Sequence, residues 1–417
     1  MLCFLICEGR LAASTSLQDP GVSKPVVPVD PVAPANANVV MTTNQQDLAS
    51  ANAGFAFNLL QQIATEQPET NIFISPYSVS TALQMVSIGA GGTTQTEMQQ
   101  VLGTFDMTPT ALNLANKENA AILDARNANF VLSTANAIWY RTGTPIKPAF
   151  IAENEKFYGA KVEGLNFNSA ASVNIINAWA SEETHGKIDK IVGPTIDASL
   201  VMFLANAVYF LGNWQTAFDV KNTTNRVFYL EGGGQALLPM MERADNFSYS
   251  ATNGYQAVQL PYKGGDLSMY VFLPGPGTNL LDFLDMMSGA WWQQSIASDF
   301  SVQNGILVLP KFNLSYAVDL VAPLEVLGMP SAFTPNANFT NMSSKQLYIS
   351  DVKQQAVVQV DEEGTVAAAV TTVGVVDGAV PPPPPPPFQM IVDRPFLFFI
   401  EDQQAGTILF MGMVFNP

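Results

Sequence analysis

Between Asp197 and Asp219 the chain runs for 21 residues, ASLVMFLANAVYFLGNWQTAF, without one charged side chain. A stretch of that length either crosses a bilayer as a helix or lies inside a folded body. Asn206, Gly212, Asn213 and Gln215 interrupt it, and the apolar part from Leu200 to Phe210 is rich in Val, Phe and Tyr, the composition of a strand covered on both faces. The segment predicts the centre of a large sheet rather than a membrane span.

A chain of 417 residues with 48% hydrophobic and 13% charged side chains has ample material to cover such a strand, and it is neither a disordered polyelectrolyte nor a coiled coil. Its 18 basic against 35 acidic residues give a net charge of −17, which opposes nucleic acid or anionic lipid as a partner. One histidine, His185, leaves no multi-histidine metal site, and no cofactor is expected. It sits beside Gly186 at a predicted helix end, where a surface cap is expected rather than catalysis; the chain is not read as an enzyme. Both cysteines, Cys3 and Cys7, fall in the opening MLCFLIC, so no disulfide staples the body. That opening, followed by a Pro/Ala/Val tether from about Gly21 to Asn38, is read as the remnant of an export signal. It predicts an extracellular or periplasmic protein, with a cytoplasmic tail as the alternative and lipid anchoring at Cys7 weaker still. Residues 1–45 are assigned to this segment and 46–417 to one domain.

Helical patterning comes first. Leu48, Ala51, Phe55, Leu59 and Ile63 mark an amphipathic helix from Asp47 to Gln67 that Pro68 ends. Asn71 to Ile74 is a short strand, and Ser75-Pro76 opens the next helix. Thr94 and Glu97 have the spacing of a capping box for a third. From Ala135 onward strands dominate, with a helix from Ser169 to Glu183 and hairpins at Gln256–Leu273 and Phe396–Phe415. Helices followed by a large mixed sheet, without a βαβ rhythm, indicate an α+β fold.

One segment is odd on its own terms. From Thr365 to Val376 every residue is small or β-branched, with no charge and no proline, the makings of a buried strand. Yet it lies between the acidic run Asp361-Glu362-Glu363 and the prolines Pro381 to Pro387, with no adjacent strand to pair it. Three successive carboxylates on a strand point to both faces and do not converge on a metal, so they are expected to be solvated. Seven prolines in polyproline II rise about 3.1 Å each, a stiff spacer of roughly 22 Å.

These segments carry a resemblance to the serpins over about Leu48 to Pro417. Asn71-Ile-Phe-Ile-Ser75-Pro76-Tyr-Ser78, Asn206-Ala-Val-Tyr-Phe-Leu-Gly-Asn-Trp214, Leu309-Pro310-Lys311-Phe312, Leu327-Gly328-Met329, Phe396-Leu-Phe-Phe-Ile and Asn416-Pro417 follow the family's order. Val360-Asp-Glu362-Glu363-Gly364-Thr365-Val366-Ala367-Ala368-Ala369 resembles the hinge of its reactive loop, with Val366 where the family often has Glu. The resemblance implies the serpin fold, a reactive loop of about 362–388, and a main sheet that accepts that loop as an extra strand once a protease cuts it. The family's spacing, counted from Glu362, puts the scissile bond at Gly378-Ala379, with Val376-Asp377 and Asp377-Gly378 as alternatives.

The expected activity is suicide inhibition of a serine protease, elastase-like or subtilisin-like because no Arg or Lys occurs between Glu362 and Arg394. An Asp-specific or a cysteine protease is the lesser option, and a non-inhibitory binding or chaperone-like role the alternative. Ser75, Ser78, Asn206 and Gln354 match positions where the family gathers polar groups that control sheet opening, Gln354 standing where histidine is often found; satisfied buried polar groups without a switching role are the other reading. Trp214 is expected to pack at the insertion point. The connection from Met107 to Asn127 offers only Lys117 and Arg126, so no polysaccharide activator is expected. The protein is expected to be a monomer, at risk of forming polymers when its loop inserts into a neighbour's sheet.

Overall fold

The computed structural model describes residues 40–125, 130–197, 200–252, 254–364 and 386–417. Helix α1 (Thr43–Glu66) is followed by β1 (Ile72–Ile74), α2 (Pro76–Ser87), α3 (Gly92–Val101) and α4 (Pro109–Asp124). Next come β2 (Phe130–Arg141), α5 (Pro148–Tyr158), β3 (Lys161–Leu165), α6 (Ala170–Glu183) and β4 (Met202–Gly212). The strand-rich part comprises β5 (Thr224–Tyr229), β6 (Gln235–Ala251), β7 (Tyr255–Pro261), β8 (Leu267–Pro274), α7 (Leu280–Asp285), α8 (Gly289–Ser298), β9 (Ser301–Pro310) and β10 (Phe312–Asp319). Helix α9 (Val321–Leu327), β11 (Asp351–Val360), β12 (Phe388–Ile391), β13 (Phe396–Asp402) and β14 (Thr407–Val414) complete it.

The uncharged run forms β4, buried along nearly its whole length, and no described helix is long and apolar enough to cross a membrane. It occupies the middle of a five-stranded sheet ordered β10-β11-β4-β2-β3. A larger sheet of nine strands runs β1-β14-β13-β8-β7-β6-β9-β12, with β5 on β6. In the five-stranded sheet β10·β11 and β2·β4 are antiparallel, whereas β11 and β4 run parallel, from Asp351 opposite Phe203 to Val358 opposite Phe210. Helix α6 packs on this sheet through Ile176, Trp179 and Ala180, with Trp179 edge-on to Trp139 at 5.8 Å. Both predicted hairpins form, as β7-β8 and β13-β14.

Three local expectations are corrected. Helix α1 starts at Thr43 rather than Asp47, with Thr42 and Gln45 making the capping box. Thr94 does not cap α3, whose N-cap is Gly91 without a side-chain bond. Thr94 lies one turn inside, where its Oγ1 accepts the Asn338 amide, and the Glu97 carboxylate reaches Ser331 instead, because tertiary partners took both side chains from the helix end. The segment from Met107 to Asn127 is no bare connection: α4 forms there, started by Thr108 and Pro109, and carries Lys117 on its exposed side. Arg126 is outside the described residues.

Candidate functional site: the parallel seam and its hinge

Strands β4 and β11 bring an amide row together. Asn136 of β2, Asn206 of β4 and Gln354 of β11 are consecutive register partners across three strands. Asn206 donates through Nδ2 to Asn136 Oδ1 at 2.6 Å, and Gln354 donates through Nε2 to Asn206 Oδ1 at 2.7 Å. Beneath the row the start of α2 closes the network. The Ser75 amide donates to Gln354 Oε1 at 3.1 Å, Gln354 Nε2 donates to the Ser75 carbonyl at 2.9 Å, and Asn206 Nδ2 also reaches the Ser78 hydroxyl. Ser75 Oγ donates in turn to the Leu409 carbonyl of β14 at 2.7 Å. Ser75, Ser78, Asn206 and Gln354 are all buried, and buried polar groups so matched are stable only while every partner stays in place. The sequence named these four as one group, and they are one. Asn136 was missed, although Ala135-Asn136-Ala137 repeats the setting of Ala205-Asn206-Ala207, and two such triplets in apolar strands signal paired asparagines.

At the far end of the seam the pairing splays. The last β11·β4 pair is Val358 with Phe210, while β11 continues to Val360 against Phe312 and β4 continues to Gly212 against Phe130. The chain leaving β11 crosses this end. The Trp214 indole donates to the Asp361 carbonyl at 2.9 Å and stacks on Tyr262 with ring centroids 4.6 Å apart, so Trp214 is packed at the seam's end. Gly364 follows at φ +41°, and a Cβ there would come within 2.4 Å of the Trp214 nitrogen; only glycine fits.

The acidic run is not uniformly solvated. Glu363 is exposed, but Glu362 is 4% exposed, its backbone carbonyl accepting the Phe218 amide at 2.9 Å. Its carboxylate receives Lys311 Nζ at 2.6 Å and Thr223 Oγ1 at 2.7 Å. Burial alone would raise the Glu362 carboxyl, but these two hydrogen bonds and the lysine charge outweigh it and hold the group below the ordinary range. Lys311 and Thr223 were not singled out as partners; the Leu-Pro-Lys-Phe motif held the lysine in plain view. Among the described residues no group of three or more His, Cys, Asp or Glu could hold a metal. His185 is exposed at φ +52°. Thr365 to Ala369 of the expected hinge, and Val376, Asp377, Gly378 and Ala379 around the expected scissile bond, lie outside the described residues.

Fold and site together define an α+β protein whose smaller sheet contains a parallel seam over a buried amide row, with a latched chain segment rooted at the seam's splayed end. The family model described as Serpin (serine protease inhibitor) matches residues 50–417, and the chain belongs to the serpin family. An uncharacterized serpin-like protein of Methanosarcina mazei is 34% identical over 89% of this chain and 88% of its own. The leukocyte elastase inhibitor of Sus scrofa is 32% identical over 89% of this chain and 100% of its own. Human thyroxine-binding globulin, solved as a complex, superposes with a TM-score of 0.80 at 26% identity, over 90% of this chain and 100% of that one.

Proposed function

We propose that the protein inhibits a serine protease by inserting its cut loop into the seam between β4 and β11. The observation that carries this reading is the parallel pairing of those two strands, splayed where Glu362 and Gly364 leave β11. A chain that reverses there must run antiparallel to β11 and therefore to β4. One inserted strand would replace a single parallel ladder with two antiparallel ones, the slightly stronger kind. With roughly a dozen residues and about 1 kcal/mol net per added hydrogen bond, the gain is on the order of 10 kcal/mol, comparable to the stability of a whole domain. The uncharged sequence Thr365–Val376 suits the role. The protease would supply its own nucleophile, attack near Gly378-Ala379 and be carried along as an acyl-enzyme before hydrolysis completes.

An elastase-like or subtilisin-like target fits the small and aliphatic residues there. Incubation with such proteases, and with an Asp-specific one, is expected to give a denaturant-resistant covalent band and a released peptide starting at or near Ala379. A second reading, a carrier or chaperone-like serpin, draws on the likeness to thyroxine-binding globulin. A melting temperature unchanged by cutting the loop would favour it and reject insertion. Action outside the cytoplasm is proposed from the opening sequence; a mature N-terminus within the tether from Gly21 to Asn38, in protein from the native source, is the expected check.

A further inference from the structure

Glu401 lies on β13 at a register shift, opposite Ser268 of β8 and Ile408 of β14, and is only 5% exposed. From α8 the Trp292 indole, 1% exposed, donates to its Oε1 at 3.1 Å. That indole is wedged among Tyr270, Phe399 and Phe57 at 5.1, 5.4 and 6.4 Å, so it is the anchor of α8 on the larger sheet and on α1. From β8 the Tyr270 hydroxyl accepts Gln403 Nε2 at 3.2 Å and lies near enough to the carboxyl to favour its charged form. The titratable neighbours are thus Tyr270 on β8 and the acidic Asp402 on its own strand; α8 presents Trp292, and α1 adds the apolar Phe57 behind it. Among the described residues Glu401 has no ion pair with a lysine or arginine.

We propose that Glu401 is a proton-operated switch that sets how tightly α8 is held against β8 and β13. A buried carboxyl without a cation is most stable neutral. Burial pushes Glu401 up to about 7, with the Asp402 charge adding to the rise and the Trp292 bond and the Tyr270 hydroxyl opposing it. The folded protein therefore holds this proton more tightly than the unfolded chain, and the stability it contributes declines as pH climbs from the ordinary carboxylate range through neutrality. The cost of ionisation is the buried charge itself; lifting α8 lets water reach it, so ionisation favours that opening although the Trp292 bond resists it. Gln293 and Ile296 of α8 line a groove of about 360 Å³ together with Gln404 and Gly406, which follow β13, so an α8 that opens more readily loosens that groove. The switch is independent of the inhibitory reading, since it is measured on the uncut protein alone.

The test compares wild type, Glu401→Gln and Trp292→Phe from about pH 5 to about pH 9. Wild type is expected to lose roughly 5 °C or more of melting temperature relative to Glu401→Gln across neutrality. Amides of α8 in wild type, corrected for intrinsic exchange, are expected to exchange about tenfold faster above the transition, and those of Glu401→Gln to show no such step. Trp292→Phe removes one donor to the ionised form and should move the wild-type transition to higher pH, which keeps the test alive if Glu401→Gln fails to fold. Parallel melting curves, or α8 protection that does not change through neutrality, would overturn the proposal.

Discussion

Gln354 and Asn206 sit opposite each other in the β11·β4 register, and the 2.7 Å bond between their side chains bridges that parallel seam of the five-stranded sheet. Any strand entering that seam must break this bond and then find new partners for both amides. Gln354→Ala leaves Asn206 Oδ1 and the Ser75 amide without the partner Gln354 gave them, at a cost of about 1–3 kcal/mol. The expected result is a lower melting temperature together with faster annealing of a synthetic peptide of the Thr365–Val376 sequence. A slower annealing rate would mean the bond does not gate the seam.

Amide side chains do not titrate, so the opening of this seam in wild type should show no step between about pH 5 and about pH 8 from the row itself. Gln354→His places an imidazole there, and its protonation abolishes the acceptor that the Ser75 amide needs. Peptide annealing by Gln354→His is expected to accelerate below about pH 6, with wild type flat over the same range.

The Glu362 latch carries the opposite pH sign to Glu401. Its carboxyl lies below the ordinary value, so its contribution is present above that value and is lost as acid brings the pH down through the depressed one. Glu362→Gln or Lys311→Met is expected to cost about 1–2 kcal/mol and to free the hinge. Faster proteolysis around residues 361–364 at neutral pH reads this directly, and acidified wild type should approach the same rate.

Phe388 is held as β12 begins. Its ring stacks on Tyr249 at 3.8 Å and lies where a side chain on Gly305 would be, a Cβ there falling 2.2 Å from it. Gly305→Ala must therefore displace the ring, at about 1–3 kcal/mol. Amide exchange in β12 and β9 should rise in Gly305→Ala, and Phe388→Ala should reproduce it without the clash.

Much of the architecture was legible because it is periodic: the apolar stripe of α1, the β7-β8 and β13-β14 hairpins, and the doubly buried β4 all announce themselves in spacing. The amide row was legible only in part, since Ser75, Ser78, Asn206 and Gln354 came from a family resemblance whereas Asn136 needed the β2·β4 register. Glu362 was misjudged for a physical reason. Alternation along one strand says which way a side chain points, not which lysine from 51 residues away lies there to receive it. Thr94 and Glu97 failed likewise, their local capping geometry outbid by Asn338 and Ser331.

The C-terminal strands are threaded through the body rather than laid on it. Strand β13 runs between β8 and β14, β14 is covered by β1, and the Asn71 side chain ties the Phe415 and Asn416 amides at 2.7 and 3.0 Å. A nick anywhere in residues 365–385 would thus yield two polypeptides that migrate together under native conditions and part only under denaturation. The severed tail would stay behind as a permanent, non-covalent subunit, visible by mass yet absent from any dilution-driven dissociation.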